Sequence, residues 1–214
     1  MLSPTEPRML RLRATPAAIE QAARVILAGG VVALPTDTLY GLAADPRRAD
    51  AVARVADIKE RPAERAMPLI AADLEQVAAC IGALPPMARA LALAFWPGPL
   101  TLVLDAPPTL AAEVSGGTGR VGVRVPAHEV ARALCRACGS PLTATSANIS
   151  GAPASASPDE VERTIGARID LLLDAGPTPG GAASTIVDVT GSAPRLIRAG
   201  AVPWSEVLAC VDRG

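Results

Sequence analysis

Apolar residues along this chain come in short runs separated by turn residues, and their spacing switches between helical and extended periods. Ile19, Ala22, Ala23, Ile26 and Leu27 recur at helical intervals behind Thr15-Pro16, where Thr suits the N-cap and Pro the first helical position. A helix is therefore predicted up to Gly29-Gly30. Val31 to Leu34 is a continuous apolar run too short for a helix, which predicts a strand buried on both faces and ended by Pro35. Asp45-Pro46 opens a second helix through Val52, Val55 and Ile58, stopped by Pro62.

The alternation continues. Pro68 to Ala71 predicts a strand, Asp73 to Ile81 a helix capped by Asp73, and Pro86 to Phe95 another helix before the rigid turn Trp96-Pro97-Gly98-Pro99. Leu100 to Leu104 and Val121 to Val125 predict strands on either side of a glycine-rich loop, Val114 to Gly119. A helix begins at His128 and runs past Arg132 to Gly139. Leu142 to Thr145 predicts a short strand, and Ser157-Pro158-Asp159-Glu160 a capping box opening a helix to about Gly166. Leu171 to Leu173, Thr185 to Val189 and Arg195 to Arg198 complete the strands. With no Pro/Gly linker and no internal repeat, this pattern predicts one α/β domain over 15–202 with terminal extensions 1–14 and 203–214. Its twisted sheet should mix parallel and antiparallel strands, with helices on both faces.

Composition narrows the class. The 214 residues are 50% hydrophobic and 19% charged, enough for a real core, yet no apolar run approaches the roughly 20 residues of a membrane span. Residues 1–13 lack the apolar stretch of a signal peptide, so a frayed start and a cytoplasmic protein are expected. Cys135 and Cys138 form a C-x-x-C without a second pair or a histidine cluster, which favours buried small hydrophobes over zinc or redox work. A net charge of −1 and 2% aromatic residues argue against a general nucleic-acid scaffold.

Candidate chemistry gathers at the strand exits. Lys59 is the chain's only lysine beside nineteen arginines, and it stands two residues before Arg61. A compact, rotatable ammonium next to a planar guanidinium suits a phosphate chain; the plainer alternative is a solvated charge cluster at a helix end. Thr36-Asp37-Thr38-Leu39-Tyr40 follows a strand directly, where ligands bind in open α/β sheets, although its side chains could equally serve their own backbone turn. Ser146-Ala147-Asn148 crowds another strand exit, again with a hydrogen-bonded turn as the alternative. The glycine-rich loop lacks the Lys-Ser/Thr ending of a Walker motif, leaving at most a weaker phosphate cradle. His128 reads as a cap or surface residue.

Taken in order, Gly30 to Leu42, Lys59-x-Arg61-Pro62, Pro99-Leu100-Thr101, Val123-Arg124-Val125-Pro126, Ser146-Ala147-Asn148-x-Ser150-Gly151, Ser184 to Asp188 and Ile197-Arg198-Ala199-Gly200 resemble the YrdC/Sua5 family of threonylcarbamoyl-AMP synthases. The resemblance implies a YrdC-like fold around a basic cavity. It also implies a reaction in which L-threonine, bicarbonate and ATP give threonylcarbamoyl-AMP and pyrophosphate, the first step of tRNA t6A37 modification. It assigns Lys59 and Arg61 to catalysis, these two with Ser146, Asn148 and Arg198 to ATP, and Thr36, Arg124 and Ser184 to threonine. Mg2+ would ride on the nucleotide with no protein-held metal. The intermediate would pass to a TsaD/Kae1-type tRNA threonylcarbamoyl transferase, with weak tRNA contact a further implication and no membrane partner. In the family the Lys59/Arg61 and Ser146/Asn148 pairs distinguish such synthases from YciO-like paralogues; the alternative is a YciO-like paralogue or an RNA- or nucleotide-binding module without threonine adenylation. Ending soon after Arg198, the chain is similar to the short form. It departs from many relatives in lacking a histidine in Pro68-Leu69-Ile70-Ala71-Ala72 and in carrying Arg120.

Overall fold

A computed structural model describes residues 9–60 and 66–213. The expectations for residues 1–8, Arg61 and Pro62 lie outside the described residues. Among them, eleven strands form two mixed sheets, where the pattern of runs had suggested one. The first holds β1 (Leu10–Arg13), β2 (Val32–Pro35), β3 (Tyr40–Ala43), β8 (Thr145–Ser146) and β9 (Leu171–Asp174) in the order β1-β9-β2-β3-β8. The second runs β11-β10-β5-β6-β4-β7, from β4 (Leu69–Ile70), β5 (Leu100–Asp105), β6 (Arg120–Arg124), β7 (Leu142–Thr143), β10 (Thr185–Asp188) and β11 (Arg195–Arg198).

Helices cover both sheets. Helix α1 (Pro16–Leu27) is capped as its sequence predicts, the Thr15 hydroxyl accepting from Ala18 N, and it lies against α6 (Glu129–Cys138). Ile26, Leu134 and Cys135 from this pair meet Leu34, Leu171 and Leu173, a cluster whose leucines and isoleucine are each worth roughly 1.5–3 kcal/mol when fully buried. Helices α2 (Ala49–Ile58), α3 (Leu74–Ile81), α4 (Pro86–Phe95), α5 (Ala112–Ser115) and α7 (Pro158–Ile165) contribute to a second cluster with Leu42, Leu102 and Val187. Asp73 caps α3 by accepting from Gln76 N at 2.8 Å.

Residues 36–39, read as a strand exit, close a hairpin, and Tyr40–Ala43 runs back antiparallel to β2. Three local expectations are corrected. The strand read over 142–145 is two strands, because Leu142 and Thr143 pair with β4 while Thr145 pairs with Leu42 of β3, so the chain passes from one sheet to the other at Ala144. The glycine-rich loop begins as the helical turn α5. Ser157 sits at the N-cap of α7 but makes no side-chain cap bond; Glu160 instead accepts from Ser155 Oγ at 2.5 Å.

Both flanks of 15–202 carry structure. Strand β1 pairs with β9, and α8 (Trp204–Val211) packs on α4 with Val207 buried. The turn before α8 is fixed by the buried Thr185 hydroxyl, which donates to Val202 O and accepts from Val202 N. Pro203 provides no side-chain cap for α8, so its start carried no sequence signal.

Candidate functional site

Between the sheets lies a cavity of about 510 Å³. One of its walls is a single transverse row of the six-stranded sheet. Ile70 of β4 pairs with Arg124 of β6; continuing the β5–β6 register by one residue sets Thr101 beside Arg124; Thr101 pairs with Ile186 of β10, and Ile186 with Arg198 of β11. Residues opposite one another on neighbouring strands project to the same face, and all five line the cavity. A bulge places the last of them. Val187 faces Leu196 but Ile186 faces Arg198, leaving Ile197 extra and 49% exposed. An unbroken ladder would put Ile197 opposite Ile186, so the bulge re-aims an arginine into the row.

Arg124 is buried, and its one hydrogen-bond partner among the described residues is Asp37, Nη1 donating to Oδ1 at 3.0 Å. Burial lowers its pKa; Asp37 opposes that shift and Arg198 adds to it. The guanidinium nonetheless stays charged at neutral pH. Arg198 donates through Nε and Nη2 to the Ser184 carbonyl and through Nη2 to Ser184 Oγ. That contact needs Gly200: a Cβ there would come within 2.3 Å of Ala183 O and 2.6 Å of Ser184 O. Ser184 Oγ in turn meets Thr101 Oγ1 at 2.9 Å.

The opposite wall comes from the five-stranded sheet and the turns beside it. Lys59, at the C-cap of α2, is 3% exposed, which removes the solvated-charge alternative. Its ammonium donates to Ser146 O at 2.6 Å, Asn148 O at 3.0 Å, Asn148 Oδ1 at 3.1 Å and Ser146 Oγ at 3.3 Å. Its carbonyl accepts from Ser150 N. Lys59 thus holds the Ser146–Asn148 turn from beneath, and the turn's own residues face the cavity. Glu60 follows with a φ of 50°, a left-handed conformation costing about 1–3 kcal/mol outside glycine, and its carboxylate pairs with Arg168.

The hydroxyl of Thr36 works within its own turn, accepting from Thr38 N and Leu39 N and donating to Leu39 O at 2.7 Å. Tyr40 lines the cavity, while its hydroxyl donates to Gly176 O and burial pushes its pKa up to about 12.

Thus the fold brings Thr36, Arg124, Ser146, Asn148, Ser184 and Arg198 to one cavity, with Lys59 directly behind it; Arg61 lies outside the described residues. Arg120 is absent from the lining and pairs with Asp188 at 2.9 Å. His128 occupies the N-cap of α6 without a side-chain cap bond, its Nδ1 buried and without a partner among the described residues, and burial lowers its pKa. Cys135 and Cys138 are buried. No group of three or more His, Cys, Asp or Glu among the described residues could hold a metal ion. No described helix is long and apolar enough to cross a membrane. Two residues of the site received no role of their own from the sequence, Asp37, which holds Arg124, and Thr101, which lines the cavity. The available signal was Thr101's hydroxyl in an otherwise apolar strand, because a buried polar residue is more informative than an exposed apolar one.

Comparison with known proteins gives a consistent result. The family model Sua5_yciO_yrdC, described as "Telomere recombination", matches residues 24–200. A threonylcarbamoyl-AMP synthase of Pyrococcus abyssi is 40% identical over 189 residues, 88% of this chain and 56% of that protein. One from Halorhodospira halophila is 46% identical over 158 residues, 74% of this chain and 83% of the relative. The crystal structure of P. abyssi Sua5 complexed with L-threonine superposes with a TM-score of 0.88 at 38% identity, covering 95% of this chain and 60% of that one. The chain therefore spans little more than half the length of its Pyrococcus relative.

Proposed function

From the chain's membership of the Sua5/YciO/YrdC family, we propose that it is an L-threonylcarbamoyladenylate synthase, converting L-threonine, bicarbonate and ATP to threonylcarbamoyl-AMP and pyrophosphate. The observation that carries this reading is the cavity itself, with Arg124 and Arg198 on one wall and the Lys59-held Ser146–Asn148 turn on the other. Two anions must meet in this reaction, the carbamate of threonine and the α-phosphate of ATP. Cations and hydrogen-bond donors aimed at the phosphoryl oxygens are the main thing a protein can supply.

In this reading the Ser146–Asn148 turn anchors the nucleotide and Lys59 fixes the turn's shape. Lys59 together with Arg61 offsets the triphosphate charge, and Arg198 closes on the phosphates from β11. Arg124 presents its remaining donors to the amino-acid carboxylate, with Thr36 and Ser184 nearby. Mg2+ enters with ATP as part of that substrate, since it is commonly held by phosphates, water and one or two carboxylates. The product would serve the t6A37 modification of tRNA through a TsaD/Kae1-type transferase, in the cytoplasm.

Pyrophosphate release with ATP and bicarbonate, measured with and without L-threonine, tests the proposal. Threonine-dependent release is expected. Nucleotide binding without it would move the chain to the YciO-like or nucleotide-binding alternative.

A further inference from the structure

The cavity hydroxyls differ in where their hydrogens go. A serine or threonine hydroxyl has one hydrogen to give and two lone pairs to receive. Thr36 gives its hydrogen to Leu39 O and accepts from Thr38 N and Leu39 N, so its hydroxyl is fully used; the 3.1 Å contact with Thr38 can only bring in the hydrogen of Thr38 as a third, shared donor. Ser146 gives its hydrogen to Asn148 Oδ1 at 2.5 Å. Thr101 and Ser184 behave differently. They meet each other at 2.9 Å, and Ser184 Oγ also accepts from Arg198 Nη2 at 3.1 Å, a group that can only donate. If Ser184 donates to Thr101, the Thr101 hydrogen is left over. If Thr101 donates, both Ser184 lone pairs are filled and the Ser184 hydrogen is left over. Either way two hydrogens share one mutual bond, and neither hydroxyl has another acceptor among the described residues. The pair therefore holds one surplus O–H at the cavity wall.

We propose that Thr101, paired with Ser184, is a substrate-binding residue that gives this surplus hydrogen to the carboxylate of the amino-acid substrate, beside Arg124. The inference rests on the proposed function. Thr101 projects from β5 to the same face as Arg124 on β6, so a guanidinium and a hydroxyl donor stand side by side. Two adjacent donors suit an acceptor-only group, which a carboxylate is. On the other flank of Arg124 stands Ile70, which has no polar side-chain atom, so a side-chain donor directly beside Arg124 in this row must come from β5. Thr36, whose hydrogen is spent within its own turn, is not the donor.

The test compares Thr101→Val, which keeps the shape and removes the donor, with Thr101→Ser, which restores it. The readouts are KM for L-threonine, KM for ATP and kcat from pyrophosphate release, the Kd of L-threonine by calorimetry, and a thermal melt. For Thr101→Val we expect KM and Kd for threonine to rise roughly ten- to a hundredfold, the loss of one hydrogen bond to a charged group. kcat at saturating threonine and KM for ATP should stay within about twofold, the mark of a lost ground-state contact. Thr101→Ser should recover most of the threonine affinity.

An unchanged threonine KM and Kd in Thr101→Val overturns the proposal. So does an equal rise in KM for ATP, or a serine variant no better than valine; Thr101→Ala replaces Thr101→Val if the latter does not fold. If the wild-type chain binds threonine but releases no pyrophosphate, the proposed reaction falls while the Kd comparison still decides the hydroxyl pair. If it binds no threonine, both fall.

Discussion

The two walls of the cavity use their cations in opposite ways. Lys59 has three N–H groups and spends them on four oxygens of the Ser146–Asn148 turn, all within 3.3 Å. Arg124 has five N–H groups and a single hydrogen-bond partner among the described residues, Asp37. A buried cation whose donors are taken up by carbonyl and side-chain oxygens of its own chain is a building element. A buried cation with donors to spare is pre-organised for a ligand, because Asp37 has already fixed its orientation. The first wall is therefore sensitive to the shape of the cation beneath it, and the second to the geometry of the fork at its surface.

The largest effect is expected at Lys59. Lys59→Ala leaves the carbonyls of Ser146 and Asn148 without their charged donor, at about 1–3 kcal/mol for each buried unsatisfied group. The melting temperature and pyrophosphate release should drop together, the latter by on the order of a hundredfold or more. Lys59→Arg should also be impaired, since a planar guanidinium does not fit a nest built for a point charge. A melt like that of wild type for Lys59→Ala would show that this wall does not depend on its cation.

Arg124→Lys sharpens the contrast from the other side. It keeps a charge for Asp37 but loses the fork, so the threonine KM should rise about tenfold or more with little change in melting temperature. An equal fall in stability for Arg124→Lys and Lys59→Ala would erase the distinction between the walls.

Substrate choice probes both walls together, because Thr36 stands on the first and Ser184 on the second. Threonine should exceed valine by about ten- to a hundredfold in kcat/KM, because polar groups left facing a methyl lose about 1–3 kcal/mol. Equal turnover with valine would exclude a hydroxyl-reading pocket.

The smallest effect lies outside both walls. Burial pushes the Cys138 thiol up to about 12 and raises that of Cys135 further, whereas the same thiols ionise near pH 9 in the unfolded chain. Their folded pKa values are raised, so their contribution is fully present below about pH 9 and is lost as pH rises towards 12. Replacing both with Ala should leave activity unchanged, lower the melting temperature by a few degrees, and flatten the loss of stability above pH 9. Stoichiometric zinc in the purified protein would contradict this structural role.

Much of this organisation was legible along the chain, for reasons that are local. Thr15 and Asp73 cap their helices because a capping oxygen acts on an N–H three residues away, and Pro86–Phe95 forms the helix its spacing predicts. The exception proves the same rule of locality. Ser157 had the right neighbours for a capping box, but Ser155 claimed the Glu160 carboxylate first. Lys59 stood out by composition alone, yet its partners lie nearly ninety residues away, so its role as the prop of a turn could not be read from its neighbours.

Residue identity and spacing determined the elements, the polar strand exits and the family pattern, all carried by contacts a few residues long. Register and sheet assignment were decided only by tertiary structure. Ile70, Arg124, Thr101, Ile186 and Arg198 become one row through pairings between five strands, and Arg198 joins it only because Ile197 bulges out. Strands have a side-chain period of two, so a slip of one residue sends a side chain to the opposite face. No local signal records such a slip, and the packing of both sheets has to settle it.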